Sequence, residues 1–284
     1  MTADNTPVVG RFAPTPSGFL HLGNIFCSLL AWLYAKSSGG KIVLRIEDLD
    51  PQRCSLAKAD ALARELEWLG LTWDEGAYCS ADSDSFFQSR RSDIYAHCFD
   101  LLQQQGLVYP CFCSRVQLHA AQAPHLEDGQ VLYPGTCRDL TPQRSAKMQH
   151  RRPAWRIKVD DELIAFTDMH YGRQQANLAH ECGDFILRRS DGVYAYQLAV
   201  VIDDALMGVN QVVRGCDLLS STPVQLYLYR LLNLTPPSFC HIPLLTDAAG
   251  RRLSKRDGDL EIAALRQHFG SPEPIIGLLA YLAG

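Results

Sequence analysis

Two widely separated stretches carry residues suited to handling a polyanion. In the first, Arg11-Phe-Ala-Pro14-Thr15-Pro16-Ser17-Gly18-Phe-Leu-His21-Leu-Gly23-Asn24, the apolar pair Val8 and Val9 leads into a turn rich in Pro and Gly, after which Ile25, Leu29, Leu30 and Leu33 recur at helical spacing. A strand, a turn and a helix N-terminus in this order present free backbone N–H groups and the positive end of a helix dipole to an anion. Gly18 and Gly23 allow close approach of a ligand to the backbone, and His21 adds a donor that can follow charge onto a phosphate oxygen. In the second stretch, Arg251-Arg252-Leu253-Ser254-Lys255-Arg256 gathers three Arg and one Lys around a serine in a polar, Gly-flanked segment, the composition of a clamp for phosphate groups. Taken singly, each has a plain reading: a tight turn in any α/β domain, or a solvated basic loop.

Three further groups could do chemistry. Lys41-Ile-Val-Leu-Arg45-Ile46-Glu47-Asp48-Leu49-Asp50-Pro51 reads as a buried strand ending in three carboxylates, at the strand end where α/β sheets bind ligands. Arg214 follows Val212 and Val213, and its guanidinium fork can hold a carboxylate bidentately; the plain alternative is an ion pair with Asp217. Cys111, Cys113, Tyr133 and Cys137 fall in a segment, 110–153, that holds five Pro and few apolar runs. Three thiolates there suit tetrahedral zinc, with the fourth ligand any nearby N or O donor, and His119 and His125 are candidates on chemistry alone. Free buried thiols are the alternative, because the pair at 111 and 113 lacks the usual C-x-x-C spacing.

The elements that must position these residues alternate. A helix is expected over 54–69 and another over 86–105, stopped at Gly106 as by a C-cap. Beyond the Pro-rich segment come strands at 155–159 and 164–168, a hairpin signal at Asp191-Gly192, strands at 200–204 and 212–215, a helix over 221–232 and a helical tail over 261–282 with Pro272 and Pro274 inside it. The β-α-β-α start favours a parallel, doubly wound α/β sheet, with 107–182 interrupting it.

At 284 residues, 47% hydrophobic and 20% charged, the chain has the composition of a globular protein and not of a disordered one. Its longest apolar runs, 26–35 and 275–283, fall short of the roughly 20 residues of a membrane span, and Met1 to Thr6 lacks the basic start of a signal peptide. Ten cysteines at irregular spacing fit a reduced, cytoplasmic setting. A net charge of −4 excludes a global positive field for nucleic acid, so any RNA contact must be local; the Arg pairs at 90–91, 151–152, 188–189 and 251–252 could serve it or be solvated surface.

The two polyanion stretches together resemble the paired signature motifs of class I aminoacyl-tRNA synthetases, HIGH in His21-Leu-Gly23-Asn24 and KMSKS in Arg252-Leu-Ser254-Lys255-Arg256. Residues 11–18, Leu44 to Asp50, Tyr196 to Asp204 and Val213 to Pro223 resemble, in order, blocks of the glutamyl-tRNA synthetases, and more closely of their truncated relatives, the glutamyl-Q tRNA(Asp) synthetases. The resemblance implies a Rossmann-like catalytic domain in two halves, 1–106 and 183–256, an inserted zinc-containing acceptor-type subdomain at 107–182, and a short helical segment at 257–284. It implies glutamate binding by Arg11, Phe12, Ala13, Pro14, Thr15, Glu47, Tyr196 and Arg214. ATP falls to His21, Gly23, Asn24, Ser254 and Lys255, with His21 and Lys255 catalytic and Mg²⁺ accompanying the nucleotide. Structural Zn²⁺ falls to Cys111, Cys113, Tyr133 and Cys137. Thr15 stands where the family usually has Ser, Asn24 where it has the second His of HIGH, and Arg252 where it has the first Lys of KMSKS.

The activity implied is formation of glutamyl-adenylate from L-glutamate and ATP without tRNA, then transfer of glutamate to the cyclopentene-diol of queuosine in the anticodon of tRNA(Asp). Only 28 residues follow Arg256, too few for an anticodon-binding domain, and a monomer is expected. The rivals are a minimal conventional glutamyl-tRNA synthetase and a silent nucleotide- or RNA-binding relative, which Asn24 and Arg252 alone would favour.

Overall fold

In a computed structural model, which describes residues 7–114, 132–148, 151–246 and 262–284, ten short strands share three sheets. In chain order they are β1 (Val9–Phe12), β2 (Lys41–Leu44), β3 (Glu75–Gly76), β4 (Val108–Cys111) and β5 (Ala154–Ile157). Then follow β6 (Leu163–Asp168), β7 (Gly172–Asn177), β8 (Ile186–Arg188), β9 (Gln211–Gly215) and β10 (Ser238–Ile242). β1, β2 and β3 pair in parallel, and so do β9 and β10, with β6 and β7 continuing outward from β10. β1 and β9 abut at their N-terminal ends, where the Asn210 N–H donates to the Val9 carbonyl at 3.1 Å and the Asn210 side chain accepts from the Val9 N–H at 2.8 Å. Further along, the Arg11 side chain, not a backbone amide, reaches the Val213 carbonyl at 3.2 Å. The junction of the two parallel halves therefore opens toward the strands' carboxyl ends, where α/β sheets place ligands.

Helices cover both halves. Helix Leu22–Ser37 crosses from β1 to β2 and buries Leu22, Ile25, Phe26, Leu29, Ala31 and Ala35; of the expected stripe, Ile25 and Leu29 are buried and Leu30 partly so, but Leu33 is exposed. Helix Leu56–Trp68 starts at Ser55, whose side chain accepts from the Lys58 N–H, and buries Ala59, Leu62, Ala63 and Leu66. The tail forms two helices, Ile262–Phe269 and Glu273–Ala283, with Pro272 capping the second, which sends Ile275 and Leu279 into the same core as Ile25 and Leu29. A second core gathers helices Ser92–Gln104, Tyr196–Leu206 and Ser221–Leu231 against β9 and β10. Among the described residues no helix is long and apolar enough to cross a membrane.

Several expectations are corrected. Residues 200–204 are not a strand but part of helix Tyr196–Leu206, in which every residue from Leu198 to Asp204 is buried; a helix with so little solvent face loses the polar period that would reveal it. The helix expected from 86 begins at Ser92, because Phe86 closes a 3₁₀ turn (Ser83–Phe86) and a second turn, Gln88–Arg90, follows. It ends as expected at Gly106, whose φ of 72° is open to a residue without Cβ. The expected boundary at 182 is crossed from both sides. β6, inside 107–182, lies parallel to β10 with Asp168 beside Phe239, whereas β8, beyond it, completes an antiparallel sheet with β4 and β5. Such pairings join residues far apart in sequence and leave no local mark. The Asp191-Gly192 signal does mark a reversal, closed by the Arg189 N–H on the Val193 carbonyl at 2.8 Å. Two short helices, Pro142–Lys147 and Leu178–Glu181, and a 3₁₀ turn, Cys216–Leu218, complete the described elements.

Candidate active site

At the carboxyl ends of β1 and β9 lies a cavity of about 560 Å³. It brings together Arg11, Phe12, Ala13, Pro14, Thr15, Glu47, Tyr196 and Arg214 with His21, Gly23 and Asn24. Ser254 and Lys255, with the rest of the basic stretch 251–256, lie outside the described residues.

His21 enters the cavity wall as the N-cap of helix Leu22–Ser37. Its Nδ1 accepts from the Gly23 N–H at 3.1 Å, and the Asn24 side chain accepts from the His21 N–H at 3.4 Å, a reciprocal capping box. A Cβ on Gly23 would stand 3.1 Å from the His21 ring, so glycine is what lets the imidazole fold back over its own helix. Asn24 thereby has a structural task of its own at the position where it departs from HIGH.

Behind the cavity the charge is dense and paired. Arg45, fully buried, donates to Glu47 at 3.0 Å and to Asp204 at 2.6 Å. Asp203 takes Arg91 Nε at 2.7 Å and both the Tyr95 hydroxyl and Gln88 Nε2 at 2.8 Å, while Arg11 Nε lies 3.6 Å from Asp204. Burial alone would loosen the proton on Arg45, but Asp204, Glu47 and Asp203 more than reverse that and raise its pKa. Burial pushes the Glu47 carboxyl up, against the pull of Arg45 and Arg11. Burial, reinforced by Glu47, raises the Tyr196 hydroxyl, which therefore stays neutral.

Arg214 is different. Its Nε donates to His241 Nε2 at 2.9 Å, Nη1 to Gln225 at 2.9 Å, and Nη2 to Thr222 at 2.8 Å and the Leu218 carbonyl at 3.3 Å. All four partners are neutral, Asp217 is not among them, and burial lowers the arginine's pKa. Of the five N–H groups of a guanidinium, these bonds among the described residues leave one on Nη1. His241 in turn sets Nδ1 2.7 Å from Asp168.

Comparison with known proteins decides the family. Residues 7–282 match the model for class I tRNA synthetases (E and Q), catalytic domain. The chain belongs to that family. A glutamyl-Q tRNA(Asp) synthetase of Nitratidesulfovibrio vulgaris is 51% identical over 97% of this chain and 86% of its own length, and one of Symbiobacterium thermophilum is 50% identical over the same shares. A solved glutamate tRNA ligase of Elizabethkingia meningosepticum superposes with a TM-score of 0.77 at 31% identity over 89% of this chain and 53% of that one. The chain thus spans about half the length of that ligase. The synthetase is an enzyme of the ligase type, with the parallel α/β catalytic fold of its class.

Away from the cavity, the synthetase carries a cluster at the end of β4. The sulfurs of Cys111, Cys113 and Cys137 lie within 4.8 Å of one another, with Cys113 and Cys137 3.6 Å apart. Thiolates around tetrahedral zinc stand roughly 3.8 Å apart, so this donor set fits the ion. Tyr133 Oη lies 3.4 Å from Cys111 Sγ and accepts the Cys137 N–H at 2.8 Å, while Arg156 stacks on its ring at 3.8 Å. The alternative ligands His119 and His125 lie outside the described residues. Burial opposes ionisation of Cys111, yet hydrogen bonds from Tyr133, the Cys113 backbone and Arg156 win and lower its pKa; burial and the neighbouring thiols push Cys113 up to about 12. All ten cysteines are free of disulfides.

Sequence reasoning did not single out Arg45, Asp168, Asp203, Asp204 or His241, and Arg91, offered in the pair 90–91 for RNA contact or solvent, is instead buried against Asp203. A signal existed for some of them. Arg45 sits inside Ile42-Val-Leu-Arg-Ile46 and the two aspartates directly after Val200-Val-Ile; a charge inside a run that must be buried has to be paired.

Proposed function

We propose that the synthetase activates L-glutamate with ATP in the absence of tRNA and transfers it to queuosine in tRNA(Asp). The observation that carries the reading is Arg214, a buried guanidinium whose hydrogen-bond partners among the described residues are all neutral, in the wall of a cavity that Arg11, Glu47 and Tyr196 also line. Burial lowers its pKa although Asp204, already bonded to Arg45, pulls the other way, so a buried cation whose direct partners carry no charge gains from an anion, and the side-chain carboxylate of glutamate supplies one. Glu47 faces the same space and suits the substrate's ammonium. The names of the N. vulgaris and S. thermophilum relatives support queuosine-bearing tRNA(Asp) as acceptor.

In the reaction a glutamate α-carboxylate oxygen attacks the α-phosphorus of ATP and pyrophosphate leaves; Mg²⁺ accompanying the nucleotide would supply charge on the triphosphate. A queuosine hydroxyl then attacks the acyl carbon, and AMP leaves. The enzyme needs no nucleophile of its own. Catalysis rests on positioning and on charge set against the triphosphate, the part assigned to the N-terminus of helix Leu22–Ser37, His21, Ser254 and Lys255. Phe12, Ala13, Pro14 and Thr15 shape the amino-acid end, and Gly23 and Asn24 the nucleotide end. Cys111, Cys113, Tyr133 and Cys137 would hold Zn²⁺ with four protein ligands and no position for substrate, so the ion supplies structure and not chemistry.

The test offers labelled glutamate with tRNA(Asp) from cells with and without queuosine, and with tRNA(Glu). Label on queuosine-bearing tRNA(Asp) alone is expected. Label on tRNA(Glu), or on tRNA(Asp) lacking queuosine, would replace this reading by a conventional synthetase. Absence of glutamate-dependent pyrophosphate exchange would replace it by a silent relative.

A further inference from the structure

Arg214 needs an acceptor for its Nε–H, and the residue that provides it is buried His241, not a carboxylate. A carboxylate at that place would neutralise the guanidinium and compete with a ligand anion. A neutral imidazole does neither, provided that its Nε2 carries a lone pair and not a proton. Which nitrogen bears the proton is decided one step further back. Asp168, 1% exposed, places Oδ2 2.7 Å from His241 Nδ1 and accepts the His241 backbone N–H at 3.1 Å. Its other oxygen is held by the N–H groups of His170 at 3.0 Å and Tyr171 at 2.9 Å, in the turn between β6 and β7. The carboxylate is thus fixed by three backbone donors and has one lone-pair direction left, toward the ring. A proton on Nδ1 satisfies it; a proton on Nε2 could turn to Thr222 Oγ1 at 3.2 Å, which already accepts from Arg214 Nη2, but it would leave Asp168 without a ring donor and set Nε2–H and Arg214 Nε–H against each other across 2.9 Å.

We propose that Asp168 and His241 are positioning residues for the substrate carboxylate: Asp168 holds His241 in the Nδ1–H tautomer, and that tautomer holds Arg214 charged, oriented and without a competing anion. The inference rests on the reading of Arg214 as the glutamate-binding cation. It assigns a task to the β6–β10 pairing, since Asp168 reaches His241 only because β6 lies beside β10. Burial, against the hydrogen bond to Asp168, lowers the pKa of His241, in keeping with a neutral ring.

Asp168→Asn tests it. The amide oxygen can still take the turn, but the amide NH₂ donates toward Nδ1 and drives the proton to Nε2. In glutamate-dependent pyrophosphate exchange KM for glutamate should rise about tenfold or more, the scale of a buried donor left facing a donor, with KM for ATP within about twofold. His241→Gln, whose side-chain oxygen can accept from Arg214 whatever stands at 168, should keep most of the glutamate affinity and make Asp168→Asn silent when the two are combined. His241→Leu should behave as Asp168→Asn does, and the contrast of Gln with Leu at 241 decides the matter even if Asp168→Asn fails to fold. Wild-type KM for glutamate in folded Asp168→Asn or His241→Leu overturns the inference. So does a rise in KM for glutamate and ATP alike that persists in the His241→Gln background. Arg214→Ala, measured beside them by calorimetry with glutamate, separates the two levels: undiminished binding there removes the reading itself, whereas lost binding there with normal Asp168→Asn and His241→Leu removes the positioning alone.

Discussion

The polar interior behind the cavity and the cysteine cluster at the end of β4 solve opposite problems. Behind the cavity, Arg45, Arg91, Asp203 and Asp204 sit between two large apolar cores, and their charges are bonded to one another at 2.6–2.7 Å, to Glu47 at 3.0 Å, or to Tyr95 and Gln88 at 2.8 Å. The surroundings are stable enough to bear charges whose value lies in holding Arg11 and Glu47 still. At the end of β4 the buried apolar set among the described residues is Tyr109, Cys111, Tyr133 and Cys137, too small to order the described chain around it by burial alone. There thiols converge instead, in the arrangement a metal would tie. The first region uses a core to support polar groups; the second uses polar groups in place of a core.

The sharpest way to break this comparison is to remove one charge from the first region. Asp203→Ala strands Arg91, Tyr95 and Gln88, and should cost on the order of 3–5 kcal/mol, read from urea denaturation. A loss within the range of a surface mutation would mean that the network is not a supporting core at all. Next in size, Lys255→Ala should slow adenylate formation by two orders of magnitude or more, about 3 kcal/mol of transition-state stabilisation, while glutamate still binds in calorimetry. That separates charge that supports the fold from charge that meets the triphosphate, and a near wild-type exchange rate would strike Lys255 from the mechanism. In the second region, protein purified without added zinc should carry about one equivalent of the metal, and Cys137→Ser should lose it together with thermal stability. Glutamate binding in the distant cavity should survive that loss, and if it does not, the two regions are not independent.

The smallest effect is a pH dependence. The folded pKa of His241 lies below its unfolded value, so at pH below about 6.5 the unfolded chain takes up a proton that the folded chain refuses, and stability falls as pH falls. His241→Gln should flatten that acid limb in denaturation at pH 5 to 7. An unchanged slope would show that the buried ring is not held neutral.

The opening unit was legible because each of its signals is local: an apolar pair, a Pro-Gly turn and a helical stripe all act within a few residues of one another. Arg214 could be picked out as a cation beside a strand end, but not the neutrality of its partners, because Thr222 and Gln225 come from a helix and His241 from the next strand. Helix Tyr196–Leu206 was hidden by its own burial, and with it the fact that Asp203 and Asp204 point into the same interior as Arg45. The position of β6 beside β10 was hidden by distance along the chain, since the pairing of Asp168 with Phe239 rests on one register position and no turn. Asn24 shows the reverse case, a substitution in a signature motif whose capping role becomes clear once its bond to the His21 N–H is seen.

The meeting of β1 with β9 also sets an order of events during synthesis. Val9 and Asn210 are separated by 201 residues, so at roughly 5–20 residues per second the first strand leaves the ribosome some 10–40 s before its neighbour exists. During that interval β1 can pair with β2 on one side only, and its other edge is an open template for any passing strand. The cavity is therefore among the last features a nascent chain can complete, and a ribosome stalled before residue 211 would display a half-sheet in need of a chaperone.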